Sequence, residues 1–219
     1  MGFEVVCISR SLAAGGEVVG RAVAQRLGFR HVDEEVIAKA AAKANVDPRV
    51  VAAAETKRPL IKRLVEAIGM AQGMADPLGF ATGLPLELSY YQAGIVPAAV
   101  VSEDYRTLIR EAIQEIAAEG RAVIVAHAAS MALAGSEGVL RVLLTASPDT
   151  RAQRLAAADN VSESKAASSV AESDRARRDY FHRFYGVKEE LATHYDIVVN
   201  TDVLTPEQAV SLIVGAAQA

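Results

Sequence analysis

Ile8-Ser9-Arg10-Ser11-Leu12-Ala13-Ala14-Gly15-Gly16-Glu17-Val18-Val19-Gly20 is the stretch on which the fold turns. It leaves an apolar run that starts at Phe3 and leads into a helical pattern that ends at Leu27. A small-residue turn between a first buried strand and a helix leaves backbone N–H groups pointing into a crevice beside the positive end of the helix dipole, which is where phosphate binds. A tight strand-to-helix turn also needs glycine for steric reasons. Read alone, the turn leaves phosphate binding and plain chain geometry both open.

Four further short runs resemble the first: Phe29 to Asp33, Ala122 to Val125, Leu140 to Thr145 and Asp196 to Asn200. Counting Phe3 to Ile8, these are five apolar segments rich in valine and isoleucine, continuous rather than alternating, as strands covered on both faces read. Helical patterns with legible ends lie between them. Gly28 ends the helix begun near Gly16, and Gly120 ends the one begun near Ser102. Ser147-Pro148 and Thr205-Pro206 each supply an N-cap followed by proline, and Thr205-Pro206-Glu207-Gln208 fits a capping box. Strand, helix and strand repeated in this way predict an α/β domain with parallel pairing and right-handed crossovers.

The segment from Pro59 to Pro97 breaks the rhythm, with Gly73, Pro77, Gly79, Gly83, Pro85 and Gly94 between its prolines. So many breakers predict an insertion at 59–97 with a long loop, leaving 1–58 and 98–219 as the core. Its apolar residues, among them Met70, Leu78 and Tyr90, suit burial in the domain's own core or against a second copy in a homodimer.

Composition narrows the classes. Of 219 residues, 51% are hydrophobic and 23% charged, which excludes a disordered chain, a collagen and a disulfide scaffold. The one cysteine, Cys7, closes no intrachain disulfide and reads as inert core. Lysine and arginine number 23 against 27 acidic residues, for a net charge of −4, which argues against nucleic-acid binding and requires local cations for any anionic ligand. No apolar stretch reaches the length of a membrane span, and no signal-peptide core or lipidation motif is read, so the expectation is a cytoplasmic chain without membrane attachment. The four histidines have no neighbour at metal-ligand spacing, so no zinc site is read.

Four motifs in order along the chain carry a resemblance. They are the first turn, Gly28-Phe29-Arg30-His31-Val32-Asp33-Glu34-Glu35-Val36-Ile37, Leu143-Leu144-Thr145-Ala146-Ser147-Pro148-Asp149-Thr150-Arg151-Ala152-Gln153-Arg154, and Tyr195-Asp196-Ile197-Val198-Val199-Asn200-Thr201-Asp202. From Val5 to about Ile213 the chain resembles the cytidylate-kinase-like branch of the P-loop nucleoside monophosphate kinases. The resemblance implies a five-stranded parallel sheet of order 2-3-1-4-5 and a helical lid at about 160–186. It also implies ATP with Mg2+ at the first turn and a nucleoside monophosphate such as CMP across the cleft. Ala14, Gly15 and Gly16 then cradle phosphate, and Asp33 falls on the acceptor side, its plain alternative being a helix N-cap. Arg151 and Arg154 share a helix face and correspond to catalytic arginines, while Arg175 and Arg178 fall in the lid. The plain alternative for these arginines is a solvated helix carrying Asp174–Arg178 and Glu172–Arg175 pairs.

Departures from the P-loop pattern G-x-x-x-x-G-K-[ST] bear on activity. With Gly15 as the second fixed glycine, Gly16 replaces the lysine, Glu17 the hydroxyl and Arg10 the first glycine. The branch itself commonly carries Gly-Gly here, but it usually places Gly-Ser before them, where this chain has Ala13-Ala14. After the third strand the branch usually has Gly-Arg, where this chain has Ala126-His127. Arg10 leaves the same turn and is the expected substitute cation, which makes lysine at position 16 expected to be harmless or helpful. Two readings follow: a phosphotransferase, or a catalytically silent relative acting as a nucleotide sensor or dimeric interaction module.

Overall fold

The computed structural model describes residues 2–48, 51–52, 101–125 and 127–219. The expected insertion at 59–97 lies outside the described residues. Five strands form one sheet: β1 (Val5–Arg10), β2 (Arg30–Val32), β3 (Ala122–Val125), β4 (Val139–Thr145) and β5 (Ile197–Asn200). Their order is β2-β3-β1-β4-β5, and every neighbouring pair is parallel. The order expected from the resemblance is the order found.

Around the sheet lie α1 (Gly16–Leu27), α2 (Glu34–Ala44), α3 (Val101–Glu119), the short α4 (Ala129–Ala132), α5 (Pro148–Asp159), α6 (Glu163–Tyr185) and α7 (Pro206–Gln218). The strand period of two sorts β1 onto two cores. Val5 and Cys7 pack with Val36, Ile113 and Ile116 of α2 and α3. Val6 and Ile8 face the other side, against Val19 and Val23 of α1 and Ile213 of α7. Both faces of the sheet are therefore covered, which explains why its strands read as unbroken apolar runs.

The ends of the helices follow their chemistry. Gly28 closes α1 at φ 66°. Ser147 accepts from the Thr150 amide ahead of Pro148, and Thr205 and Gln208 form the reciprocal capping box that opens α7. Ser162 caps α6 through the Lys165 amide, and Gly186 stops it at φ 66°. After β1 the chain builds β2 and β3 on one side and then β4 and β5 on the other, so the direction of winding reverses at β1. A crevice opens at the carboxyl ends of the strands beside such a reversal.

Candidate phosphate site at the end of the first strand

The turn after β1 is closed by its own backbone. Ser11 N donates to Leu144 O at 3.0 Å, and Ala14 N donates to Ser11 O at 3.1 Å. Gly15 holds the N-cap position of α1 at φ 85°, ψ 15° and has no side chain to cap the helix, so the first-turn amides of α1 face the crevice without a side-chain acceptor from the cap. Ala13 sits at φ 61°, a left-handed conformation that costs a residue with a Cβ roughly 1 kcal/mol. The chain thus keeps the left-handed conformation here without glycine. Ala14, expected to cradle phosphate, is 1% exposed, with its amide given to Ser11 O and its carbonyl accepting from Thr201 Oγ1, so neither backbone group is turned to the crevice.

Arg10 ends β1 and its side chain crosses Gly16. A Cβ at position 16 falls 2.3 Å from Arg10 Cδ and 2.6 Å from its Cβ, so glycine is required there for the arginine to lie where it does. The guanidinium meets Glu17 at 2.7 Å, and its Nε is buried with no hydrogen-bond partner among the described residues. Arg10 therefore occupies the space into which a lysine at position 16 would grow. The expectation that such a lysine is harmless fails on this contact.

Across the crevice, Asp33 occupies the N-cap position of α2 but makes no capping hydrogen bond. Its neighbour is His127 from the end of β3. His127 Nε2 lies 3.0 Å from the Asp33 carbonyl oxygen and 3.4 Å from Oδ1, and since both are acceptors the ring donates from Nε2. The hydrogen bond from His127 and then its charge, followed by the charge of Arg10, hold the Asp33 carboxyl below its usual range against the cost of burial. His127 and Ala128 both have left-handed backbones, at φ 52° and 50°, so the segment that presents the histidine is itself strained. Arg10 and Asp33 thus share one electrostatic field.

The hairpin of α5 and α6 distributes its arginines in three directions. Arg151 is 4% exposed. Its Nε donates to Ala146 O at 3.0 Å, and Nη1 and Nη2 donate to the two oxygens of Asp174 at 2.8 and 2.7 Å. Asp174 thus pairs with the neighbouring helix rather than with Arg178 on its own. Arg154 donates to Thr201 Oγ1 at 3.0 Å, and Thr201 in turn donates to Ala14 O at 3.2 Å, which ties α5 to the turn through the loop after β5. Arg175 and Arg178 are exposed and line an outer groove with Pro148 and Asp149. The arginine of α6 that does reach the turn is Arg177, whose Nη1 donates to Arg10 O at 3.0 Å.

Nothing in the sequence separates Arg177 from Arg175 and Arg178 beside it. Its partners, Arg10 O and Glu190, come from the far end of the chain and from beyond the helix, where no spacing rule reaches. The remaining candidates are structural. Ser9 is buried and bonded to Ser130 at 3.1 Å, with no base beside it to make it a nucleophile. Burial pushes the Cys7 thiol up to about 12, which leaves it inert. Tyr180 stacks on Phe184 at 4.3 Å and Phe181 is 2% exposed, so these rings pack α6.

A parallel sheet of this order, with a glycine turn and a helix N-terminus at its winding reversal, defines a phosphate-loop α/β protein of the kinase-like kind. The chain belongs to the cytidylate kinase-like family, whose model matches residues 5–203. It is 36% identical over 76 residues to a cytidylate kinase of Sulfolobus acidocaldarius, a match covering 35% of this chain and 42% of that protein. A cytidylate kinase of Sulfurisphaera tokodaii is 32% identical over 74 residues, covering 34% of this chain and 41% of that one. In both cases the match spans less than half of the curated relative. A solved structure of an uncharacterized protein from Eubacterium ventriosum shares the fold over 96% of both chains, with a TM-score of 0.61 at 16% identity. No helix among the described residues is long and apolar enough to cross a membrane.

Proposed function

We propose that the chain binds a nucleoside triphosphate at the turn after β1 and transfers its terminal phosphoryl group to a nucleoside monophosphate such as CMP. The single observation that supports this reading is that the Arg10 side chain lies across Gly16, where the stem of the missing lysine would start, so that a permanent cation leaves the same turn. Phosphoryl transfer asks little covalent chemistry of a protein; it asks for alignment of two polyanions, neutralised charge and exclusion of water. The amides of Gly15 and Gly16 and the dipole of α1 hold the phosphates, and Arg10 leaves Glu17 to meet them. Asp33, oriented by His127, faces the acceptor. Arg151 and Arg154 hold α5 in place, and Arg175 and Arg178 are the cations left exposed to close over bound nucleotide.

Magnesium, when it accompanies the nucleotide, neutralises charge between the transferring phosphates. Asp33 fits as a carboxylate ligand, whereas Glu17 is engaged with Arg10. The described residues hold no group of three or more metal-ligating side chains.

A catalytically silent nucleotide sensor is the second reading. The Arg10–Glu17 pair favours it, because a carboxylate already neutralises the cation on which transfer depends. Calorimetric titration with ATP and with CMP, with and without magnesium, followed by an ADP-release assay, separates the two. Binding of both with turnover supports the kinase; binding of one without turnover supports the sensor. Failure of both to bind contradicts either reading.

A further inference from the structure

Arg177 belongs to a partly buried polar chain that reaches the turn. Its Nε and Nη2 donate to the two oxygens of Glu190 at 2.7 and 2.6 Å, while Nη1 donates to Arg10 O at 3.0 Å. Tyr195 donates its hydroxyl to the same Glu190 carboxylate, and the Arg177 guanidinium lies 4.7 Å from the centre of the Phe181 ring. A guanidinium is planar, so two bonds to one carboxylate fix the direction of its third. The remaining nitrogen, Nη1, is aimed at the carbonyl of the residue where β1 becomes the turn.

The far end of this chain rests on the sheet. Tyr195 precedes β5 and is 6% exposed. Its neighbour Asp196 accepts from the Arg141 side chain of β4 at 2.7 and 3.1 Å and from the Arg141 amide at 2.8 Å. Burial works against the charge on both Arg177 and Glu190, yet their mutual hydrogen bonds and attraction prevail. Arg177 is held above its ordinary range and Glu190 below it. Burial and the adjacent Glu190 charge push the Tyr195 hydroxyl up, so it stays a proton donor. At neutral pH every member keeps the protonation state that the bonds require.

We propose that Arg177 is a positioning residue that couples helix α6 to the phosphate-binding turn by holding the backbone carbonyl of Arg10. It touches no phosphate itself. Movement of α6 either carries the Arg10 carbonyl with it or breaks the Arg177 bond, so the state of the helix is read directly at the turn. The functional half of this inference rests on the reading of the turn as a nucleotide site.

The coupling is tested on the full chain without ligand, by hydrogen exchange of wild type and Arg177→Lys. Lysine keeps the charge opposite Glu190 but cannot span both Glu190 and the Arg10 carbonyl. Exchange of the amides of residues 11–16 is expected to rise about tenfold relative to those of β4, which stay unchanged. Glu190→Gln, which keeps the shape and weakens the pair, is expected to give a smaller rise in the same place. Exchange that increases across 163–200 with no preference for 11–16, alongside a lower Tm, would mark a merely structural ion pair and overturn the proposal. The second arm titrates ATP and inorganic tripolyphosphate. About tenfold weaker binding of both by Arg177→Lys, with CMP affinity unchanged, supports the coupling, and equal losses for all three overturn it. If wild type binds neither triphosphate, the nucleotide reading of the turn fails, and the exchange result alone decides the coupling.

Discussion

Arg10 and Arg151 are both arginines at the carboxyl end of the sheet, yet they differ in what their donors already hold. Arg151 spends Nε and both terminal nitrogens on Ala146 O and Asp174 at 4% exposure. Arg10 meets one half-exposed carboxylate, Glu17, and leaves its Nε without a partner among the described residues. The first is a rivet and the second is a cation held in readiness. Position in a cleft alone does not make an arginine a phosphate ligand; the bonds already made decide.

Substitution of each arginine sharpens the contrast. Arg151→Ala leaves the partly buried Asp174 without its partner and is expected to cost about 3 kcal/mol. At roughly 2–4 °C per kcal/mol for a chain of this size, Tm falls by about 6–12 °C, a shift that differential scanning calorimetry reads directly. Arg10→Ala removes a partly exposed pair and leaves its half-exposed partner Glu17 to water, a loss of about 1 kcal/mol or less, so its Tm stays within a few degrees of wild type. Its effect falls on function: kcat/KM for phosphoryl transfer is expected to drop by roughly a hundredfold or more, the scale of losing one charge-stabilising donor. The comparison breaks if the two variants exchange these signatures.

The acid limb of stability distinguishes the hairpin and sheet anchors from the turn. Arg141 holds the Asp196 carboxyl below its ordinary range, chiefly by hydrogen bonding. A carboxyl lowered in the folded state contributes stability that is fully present above its unfolded value, about 3.9, and is lost as pH falls through the folded value. Glu190, lowered mainly by its hydrogen bonds to Arg177 against burial, acts in the same sense. Tm measured from pH 7 down to pH 3 is expected to stay level to about pH 5 and then fall. Arg141→Met is expected to start lower and fall less steeply.

The smallest expected effect is at Ala13. Its φ of 61° is strained for alanine, so Ala13→Gly is expected to stabilise by about 0.5–1 kcal/mol in urea titration without weakening nucleotide binding. A destabilised Ala13→Gly variant would show that the turn tolerates alanine at no cost.

The sheet was legible in the sequence because a strand covered on both faces must be apolar at every position. Each of the five runs yielded a strand within about two residues of its expected ends. The caps at Ser147 and Thr205 were equally readable, since a hydroxyl three residues before an orphan amide is a local pattern. The position of Asp33 at the head of α2 was also legible, but its side chain bonds His127, 94 residues away. The same limit hid Arg177, which bonds a backbone carbonyl 167 residues distant, and the pairing of Arg151 with Asp174. Periodicity reports which face of an element is buried; it carries no information on which of several adjacent arginines finds a particular partner.

The central claim, that Arg10 stands in the place of the missing lysine, is tested most directly by a double-mutant cycle on tripolyphosphate affinity. The cycle uses Arg10→Ala, Gly16→Lys and both together. Because a Cβ at position 16 collides with the Arg10 stem, Gly16→Lys alone is expected to weaken binding, and Arg10→Ala alone to weaken it further. Together they clear the stem and restore a cation, so the double variant is expected to bind about tenfold tighter than Arg10→Ala. Losses that simply add, leaving the double variant the weakest of the three, would contradict the claim.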